Sequence, residues 1–178
     1  TPTGRSIQKP YSKNGNRDYY KDYQNRITSG ELLNKDSIKV VDSLKFTTPK
    51  GKVVYGGGGI IPDVFVAVDT TSYMSNFYFN SINRFAFEYV DENRKELEKW
   101  SIDSFIENFS DDKTVLNEYL TSIKEDNIVP QNKVKNSIQK YLTASIANTL
   151  FGDEGFYRII HQEDKMILKV LELEAKKE

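Results

Sequence analysis

The chain has no cysteine, one histidine and one tryptophan in 178 residues, and its 25 basic side chains nearly cancel its 26 acidic ones. Without cysteine there is no disulfide, no thiolate nucleophile and no cysteine-based zinc site. A single histidine, His161, gives a histidine metal cluster or a Ser-His-Asp arrangement at most one anchor. With Glu163 and Asp164 beside it, His161 reads as a helix-terminal histidine near carboxylates rather than a metal ligand. A net charge of -1 sets up no field that would recruit nucleic acid or anionic lipid. No apolar run reaches the roughly eighteen residues of a membrane span, and nothing resembles a signal peptide. The expectation is therefore a chain with no metal, no cofactor, no nucleic-acid partner and no membrane span.

What the sequence does have is a joint, Val53-Val-Tyr-Gly-Gly-Gly-Gly-Ile-Ile-Pro-Asp-Val-Phe-Val-Ala-Val68. Four glycines between two β-branched runs allow positive φ and close approach of neighbours, and Pro62 forces Ile61 to be extended. A phosphate-cradling loop fails on spacing. The G-x-G-x-x-G pattern needs glycine where Ile61 stands, no Gly-Lys-Ser/Thr follows, and Ile-Ile-Pro does not open a helix. The run reads as a structural joint lying along a substrate path.

Around it the chain reads as α+β, a few β-strands followed by a predominantly α-helical bundle, divided into residues 1–69 and 70–178. A polar, tyrosine-rich insertion at about 9–36 carries Tyr20, Tyr23 and Ile27 at helical spacing, with Gly30 as a stop. Tyr11, Tyr19, Tyr20 and Tyr23 with Arg17, Lys21 and Arg26 could form a stacking platform for single strands. Rings that pin the insertion to the core are the simpler account. Leu44–Thr48 and Val53–Tyr55 flank Pro49-Lys50-Gly51-Lys52 and predict a hairpin. Ile60–Val68, apolar apart from Asp63 and Pro62, predicts a third strand covered on both faces, or left exposed or paired with a second copy where its cover is missing.

Beyond Thr71 the apolar period becomes 3.6. Ile82, Phe85, Ala86, Tyr89, Val90 and Leu97 predict a helix from near Ser72 to near Trp100. Ser101 caps a short helix with Ile102, Phe105, Ile106 and Phe109 inward, and Ser110 with Asp111 and Asp112 opens another. A fourth follows Pro130 and stops at Gly152, a turn or two around Phe156, Ile159 and Ile160 comes next, and Ile167, Val170 and Leu171 mark the last helix. Five or six helices joined by short connections make a compact bundle.

Self-contained chemistry is sparse. Ser-x-x-Lys spacings such as Ser6 to Lys9 and Ser137 to Lys140 occur, but 14 serines and 19 lysines supply one or two such spacings by chance, and the companion motifs are missing. Asp91-Glu92 beside Arg94 and Lys95 reads as a solvated helix face, and Asp111-Asp112 as a helix start. A glycosidase pair would need two carboxylates across a cleft, which spacing does not show.

Two ordered motifs carry a resemblance. Thr1-Pro2-Thr3-Gly4-Arg5-Ser6-Ile7-Gln8 followed by Gly58-Gly59-Ile60-Ile61-Pro62-Asp63-Val64 resembles the T-P-[ST]-G-R-S-I-Q … G-I-x-P-D signature of the C-terminal processing peptidases, or tail-specific serine proteases. About fifty residues separate the motifs here, as in a longer bacterial branch that carries Tyr-Gly-Gly-Gly-Gly-Ile before the Pro-Asp. The resemblance implies that the serine nucleophile and lysine base lie upstream of Thr1, that a PDZ domain helps the parent bind substrate C-termini, and that this chain alone is inactive. Together with a start that lacks methionine, it implies a piece of a longer, bacterial periplasmic or cell-envelope protein. The implied partners are proteins or peptides with free C-termini, the rest of the parent protease, and a further copy in a homo-oligomer. No residue here carries over as catalytic. By motif position Arg5, Gly57, Gly58 and Gly59 are the candidate substrate-binding groups. The competing reading is a non-catalytic helical protein-interaction module with a protease-like β edge.

Overall fold

The computed structural model describes residues 4–8, 16–57, 59–69, 74–109, 113–123 and 130–176. The chain forms two compact units, Thr1–Asp69 and Thr70–Glu178. Its class is α+β, a two-stranded antiparallel sheet and a predominance of helix.

The described part of the first unit opens with residues 4–8, which belong to no helix or strand, and continues with helix α1, Asn16–Thr28. Gly30, at φ 82°, ends the helical path, and its carbonyl accepts from Leu33 and Asn34 N–H. Tyr20 and Ile27 are solvent-exposed, so these two do not pin the helix to a core as the insertion reading expects. The side chains of Tyr11, Arg17, Tyr19 and Tyr23 lie outside the described residues.

The hairpin forms where the sequence places it. Strand β1, Lys45–Thr47, pairs antiparallel with β2, Val53–Tyr55, in the register Lys45 to Tyr55, Phe46 to Val54 and Thr47 to Val53. Pro49 starts the turn, Gly51 N–H donates to Thr48 O, and Gly51 takes φ 80°, which closes the turn with a glycine in the left-handed region.

The expected third strand does not form. Residues 60–69 carry no ladder, and Ile60, Ile61, Val64 and Val68 are exposed rather than covered. A backbone bond from Val68 N–H to Leu32 O at 3.0 Å anchors the end of this run. The apolar pattern is strand-like, but no third strand partner is described on either side of the hairpin, and strand order needs one.

The second unit is the helical bundle: α2 Asn76–Leu97, α3 Ile102–Phe109, α4 Lys113–Ser122, α5 Asn132–Phe151, α6 Asp153–Ile160 and α7 Lys165–Ala175. On α2 the expected stripe is inward, with Ile82, Ala86, Val90 and Leu97 buried and Phe85 and Tyr89 half-buried. Ser101 and Ser104 cap α3 reciprocally: Ser104 N–H donates to Ser101 Oγ at 3.2 Å and Ser101 N–H to Ser104 Oγ at 3.0 Å. Ser110, Asp111 and Asp112, expected to open α4, lie outside the described residues.

Helix α5 is the axis of the bundle. Leu142 through Ala147 are all buried, so its middle is covered on every side. The reason is side-chain size: Thr143, Ala144, Ser145 and Ala147 let neighbouring helices approach from directions that a leucine would block. Gly155 shows the limit of that approach, since a Cβ there would stand 2.7 Å from Ala147 O.

Tyr119 of α4 is fully buried, and its hydroxyl is satisfied by Ser81 Oγ of α2 at 2.7 Å. Phe105 is likewise fully buried, stacked on Phe109 at 4.4 Å and edge-on to Phe151 at 5.6 Å. Helix α7 forms where the sequence places it: Asp164 caps it through Met166 and Ile167 N–H, and of its three marking residues Ile167 is half-buried while Val170 and Leu171 are exposed. It packs on the turn His161–Glu163.

Candidate functional site

The glycine joint and the N-terminal motif meet. Gly57 N–H donates to Ser6 O and Gly59 N–H to Ile7 O, both at 2.9 Å, while Gly56 N–H donates to Leu44 O at 2.9 Å and Arg5 Nη1 to Tyr55 O at 3.2 Å. The segment Arg5–Ile7 thus lies along Tyr55–Gly59. Gly56 is closely packed: a Cβ there would stand 3.0 Å from Ser6 O and 3.2 Å from both Arg5 Cγ and Phe46 Cε2. Gly57 takes φ 75° and comes within 2.6 Å of Leu44 Cδ1 at the position a Cβ would occupy.

Of the four residues expected to bind substrate, Arg5, Gly57 and Gly59 are therefore brought together, and Gly58 lies outside the described residues. The amides of Gly57 and Gly59 are already committed to protein carbonyls, so neither is offered to a phosphate or an oxyanion. Arg5 is half-buried and serves as a clamp between the two motifs. Asp63 of the Pro-Asp pair makes an exposed ion pair with Lys52 of the hairpin turn. These contacts make the joint a framework element.

The other groups singled out in the sequence are engaged in local contacts where they are described. His161 follows the end of α6 and stacks on Tyr157 at 5.2 Å between ring centres. Its neighbours are engaged elsewhere, Asp164 as the α7 cap and Glu163 with Lys140 at 3.5 Å. Asp91 pairs with Arg94 at 3.5 Å on the exposed face of α2. Ser6 Oγ donates to Gln8 O at 3.1 Å, while Lys9 lies outside the described residues. Among the described residues no group of three or more histidine and carboxylate side chains is placed to hold a metal ion.

The bundle contains a groove that the sequence reading did not single out. It has a volume of about 390 Å³ and lies between α2, α5 and α6. Helix α2 supplies Asn83 and Phe87 from successive turns; α5 supplies the stripe Tyr141, Ser145, Asn148 and Thr149. Asp153, Phe156 and Tyr157 of α6 close it. Ser145 Oγ, though buried, donates to Asn83 Oδ1 at 3.2 Å, and Thr149 Oγ1 donates back to Ser145 O at 3.0 Å. Tyr141 and Phe156 meet edge to face at 5.7 Å. The signal available in the sequence was this polar stripe on an otherwise buried helix, facing a phenylalanine on the outer side of α2.

Compared with known proteins, the chain matches one family model, a family of unknown function (DUF8443), over residues 73–152. That span runs from just before α2 to the end of α5 and contains the α2 and α5 walls of the groove. No curated protein and no solved structure matches the chain.

Proposed function

We propose that this chain is the C-terminal portion of a serine endopeptidase of the C-terminal processing type. In this reading residues 1–69 are the terminal strands of the protease core, and residues 70–178 add a helical domain that shapes substrate access or mediates assembly. The observation that carries the reading is the pairing of the two signature motifs: about fifty residues apart in sequence, they are joined by the Gly57–Ser6 and Gly59–Ile7 bonds and by Arg5 on Tyr55. Two motifs that form one structural unit are expected to travel together in a family. The exposed apolar run 60–68 adds support, because it has the composition of a covered strand and lacks the cover.

The parent's serine and its unprotonated lysine base would lie upstream of Thr1. A lysine desolvated beside the nucleophile loses its preference for charge and can act as a base near neutral pH. The substrates would be proteins with free C-termini in the bacterial periplasm or cell envelope, and the chain by itself would be inactive. Arg5 and the glycines would then shape the wall of the substrate path rather than donate to the scissile group.

The decisive experiment compares this chain, the full-length parent and the parent with alanine at its predicted serine on a peptide with a free apolar C-terminus. Cleavage by the parent alone supports the proposal. Cleavage by the isolated chain, or by the alanine variant at the parent's rate, would sink it. A second reading, a non-catalytic interaction module, is favoured by the exposed Met166, Leu168, Val170 and Leu171 of α7. It predicts an inactive parent and a chain that self-associates or captures a partner through α7.

A further inference from the structure

The geometry points to the groove between α2, α5 and α6 as a binding site for a neutral oligosaccharide. Its volume, about 390 Å³, lies within the roughly 300–1,000 Å³ of small-molecule clefts. The chemistry of its walls then selects the ligand. No lysine, arginine or histidine lines it, so a carboxylate or phosphate would find no charge-assisted donor. That separates the groove from any subsite for a substrate's C-terminus, and the site stands or falls independently of the peptidase reading. A wholly apolar ligand would displace water from the exposed side chains of Asn83, Asn148 and Asp153 and replace none of their hydrogen bonds to it. A cation would meet a single carboxylate that is solvent-exposed, where an ion pair adds little.

A pyranose ring fits both kinds of wall. Its C–H face can lie on an aromatic ring, and Phe87 offers one that is 62% exposed, with Tyr157 on the opposite side 51% exposed. Its vicinal hydroxyls each donate and accept, as each asparagine amide does. The bond from Ser145 Oγ commits Asn83 Oδ1 and leaves that amide's Nδ2 as a donor for ligand. Two of the lining rings are held before any ligand arrives, Tyr141 by Phe156 at 5.7 Å and Tyr157 by His161 at 5.2 Å, which lowers the ordering cost of binding.

The test is an amide NMR titration of the 178-residue chain with cellotriose, maltotriose and chitotriose separately, with tetramethylammonium chloride as the cationic comparison. At least one trisaccharide is expected to give saturable shifts centred on Asn83, Phe87, Asn148 and Tyr157. Phe87→Ala and Asn148→Ala should each weaken that binding about tenfold. Both side chains are exposed, so an unchanged melting temperature separates lost binding from lost folding. Absence of saturable shifts with all three sugars overturns the proposal. So does tetramethylammonium binding that exceeds sugar binding and disappears in Asp153→Asn, which would make the groove a cation site.

Discussion

The two units solve the problem of order in different ways. In the helical unit the buried apolar side chains run from Met74 to Ile159 and form one cluster around α5. In residues 1–69 the only buried residue among those described is Gly56, while Val41, Val53 and Ile60 stand more than two-fifths exposed. The first unit is held by backbone hydrogen bonds and glycine geometry, and the second by removal of apolar surface from water. The difference teaches that an apolar sequence is not a core until something covers it. Residues 60–68 have the composition of a buried strand, and their free energy of burial is still to be gained.

The sharpest way to break this comparison is to remove one large side chain from each unit. Phe105→Ala should cost about 3–5 kcal/mol in urea denaturation, because a fully buried ring with two aromatic neighbours leaves a cavity. Ile60→Ala should stay within about 0.5 kcal/mol, since Ile60 is 71% exposed. Equal losses at the two positions would show that residues 1–69 hide a core after all. Next in size is Gly155→Ala. Its methyl group would meet Ala147 O at 2.7 Å, a backbone atom that cannot swing aside, so overpacking outweighs the gain in helix propensity and a net loss of about 1–2 kcal/mol is expected. A stabilised variant would mean that α6 is free to move off α5.

How much of this was legible in the sequence follows the same division. The helical stripe of α2, the serine start of α3 and the Gly152 stop of α5 are local or periodic signals, and they map directly onto the observed elements. The hairpin was legible for the same reason, because Pro49 and Gly51 specify the turn by themselves. The third strand was misread, since period and hydrophobicity say what a segment could bury but not what lies opposite. Arg5 and the glycines could be proposed from motif order, yet only coordinates reveal that the amides of Gly57 and Gly59 bond back to Ser6 and Ile7. The groove was illegible because it needs three helices at once, and Asn83, Ser145 and Asp153 are unremarkable on their own.

A smaller effect probes the polar contact inside the core. Tyr119→Phe removes the 2.7 Å bond to Ser81 and should cost about 1 kcal/mol. Burial raises the Tyr119 pKa above the usual tyrosine value, with the Ser81 bond opposing and Tyr78 adding to the rise. The folded state therefore favours the neutral phenol. Its contribution is complete below about pH 10 and is lost as pH climbs from there through the higher folded value. Tyr119→Phe should accordingly flatten the alkaline limb of the stability profile, and an unchanged limb would mean that the phenol ionises as easily in the fold as outside it.

The smallest effect belongs to α7, the helix on which Met166, Leu168, Val170 and Leu171 are exposed. Glu172 accepts from Lys169, with Lys176 also in contact, and these hydrogen bonds followed by the two ammonium charges lower its pKa to about 2. The stabilisation is present above the ordinary glutamate range near pH 4.5 and is lost as pH falls toward about 2. Because the carboxylate is fully exposed, water and salt screen most of this, and the change in global stability should be too small to resolve in a melt. The carboxyl carbon reports it directly: an NMR titration should place Glu172 below the other exposed glutamates at low salt and move it toward them at high salt. A Glu172 that titrates with the rest at low salt would mean that the Lys169–Glu172–Lys176 chain does not persist in solution. In that case the polar face of α7 would be as unconstrained as its apolar one, and the contrast between an ordered bundle and its last helix would be wider than these contacts suggest.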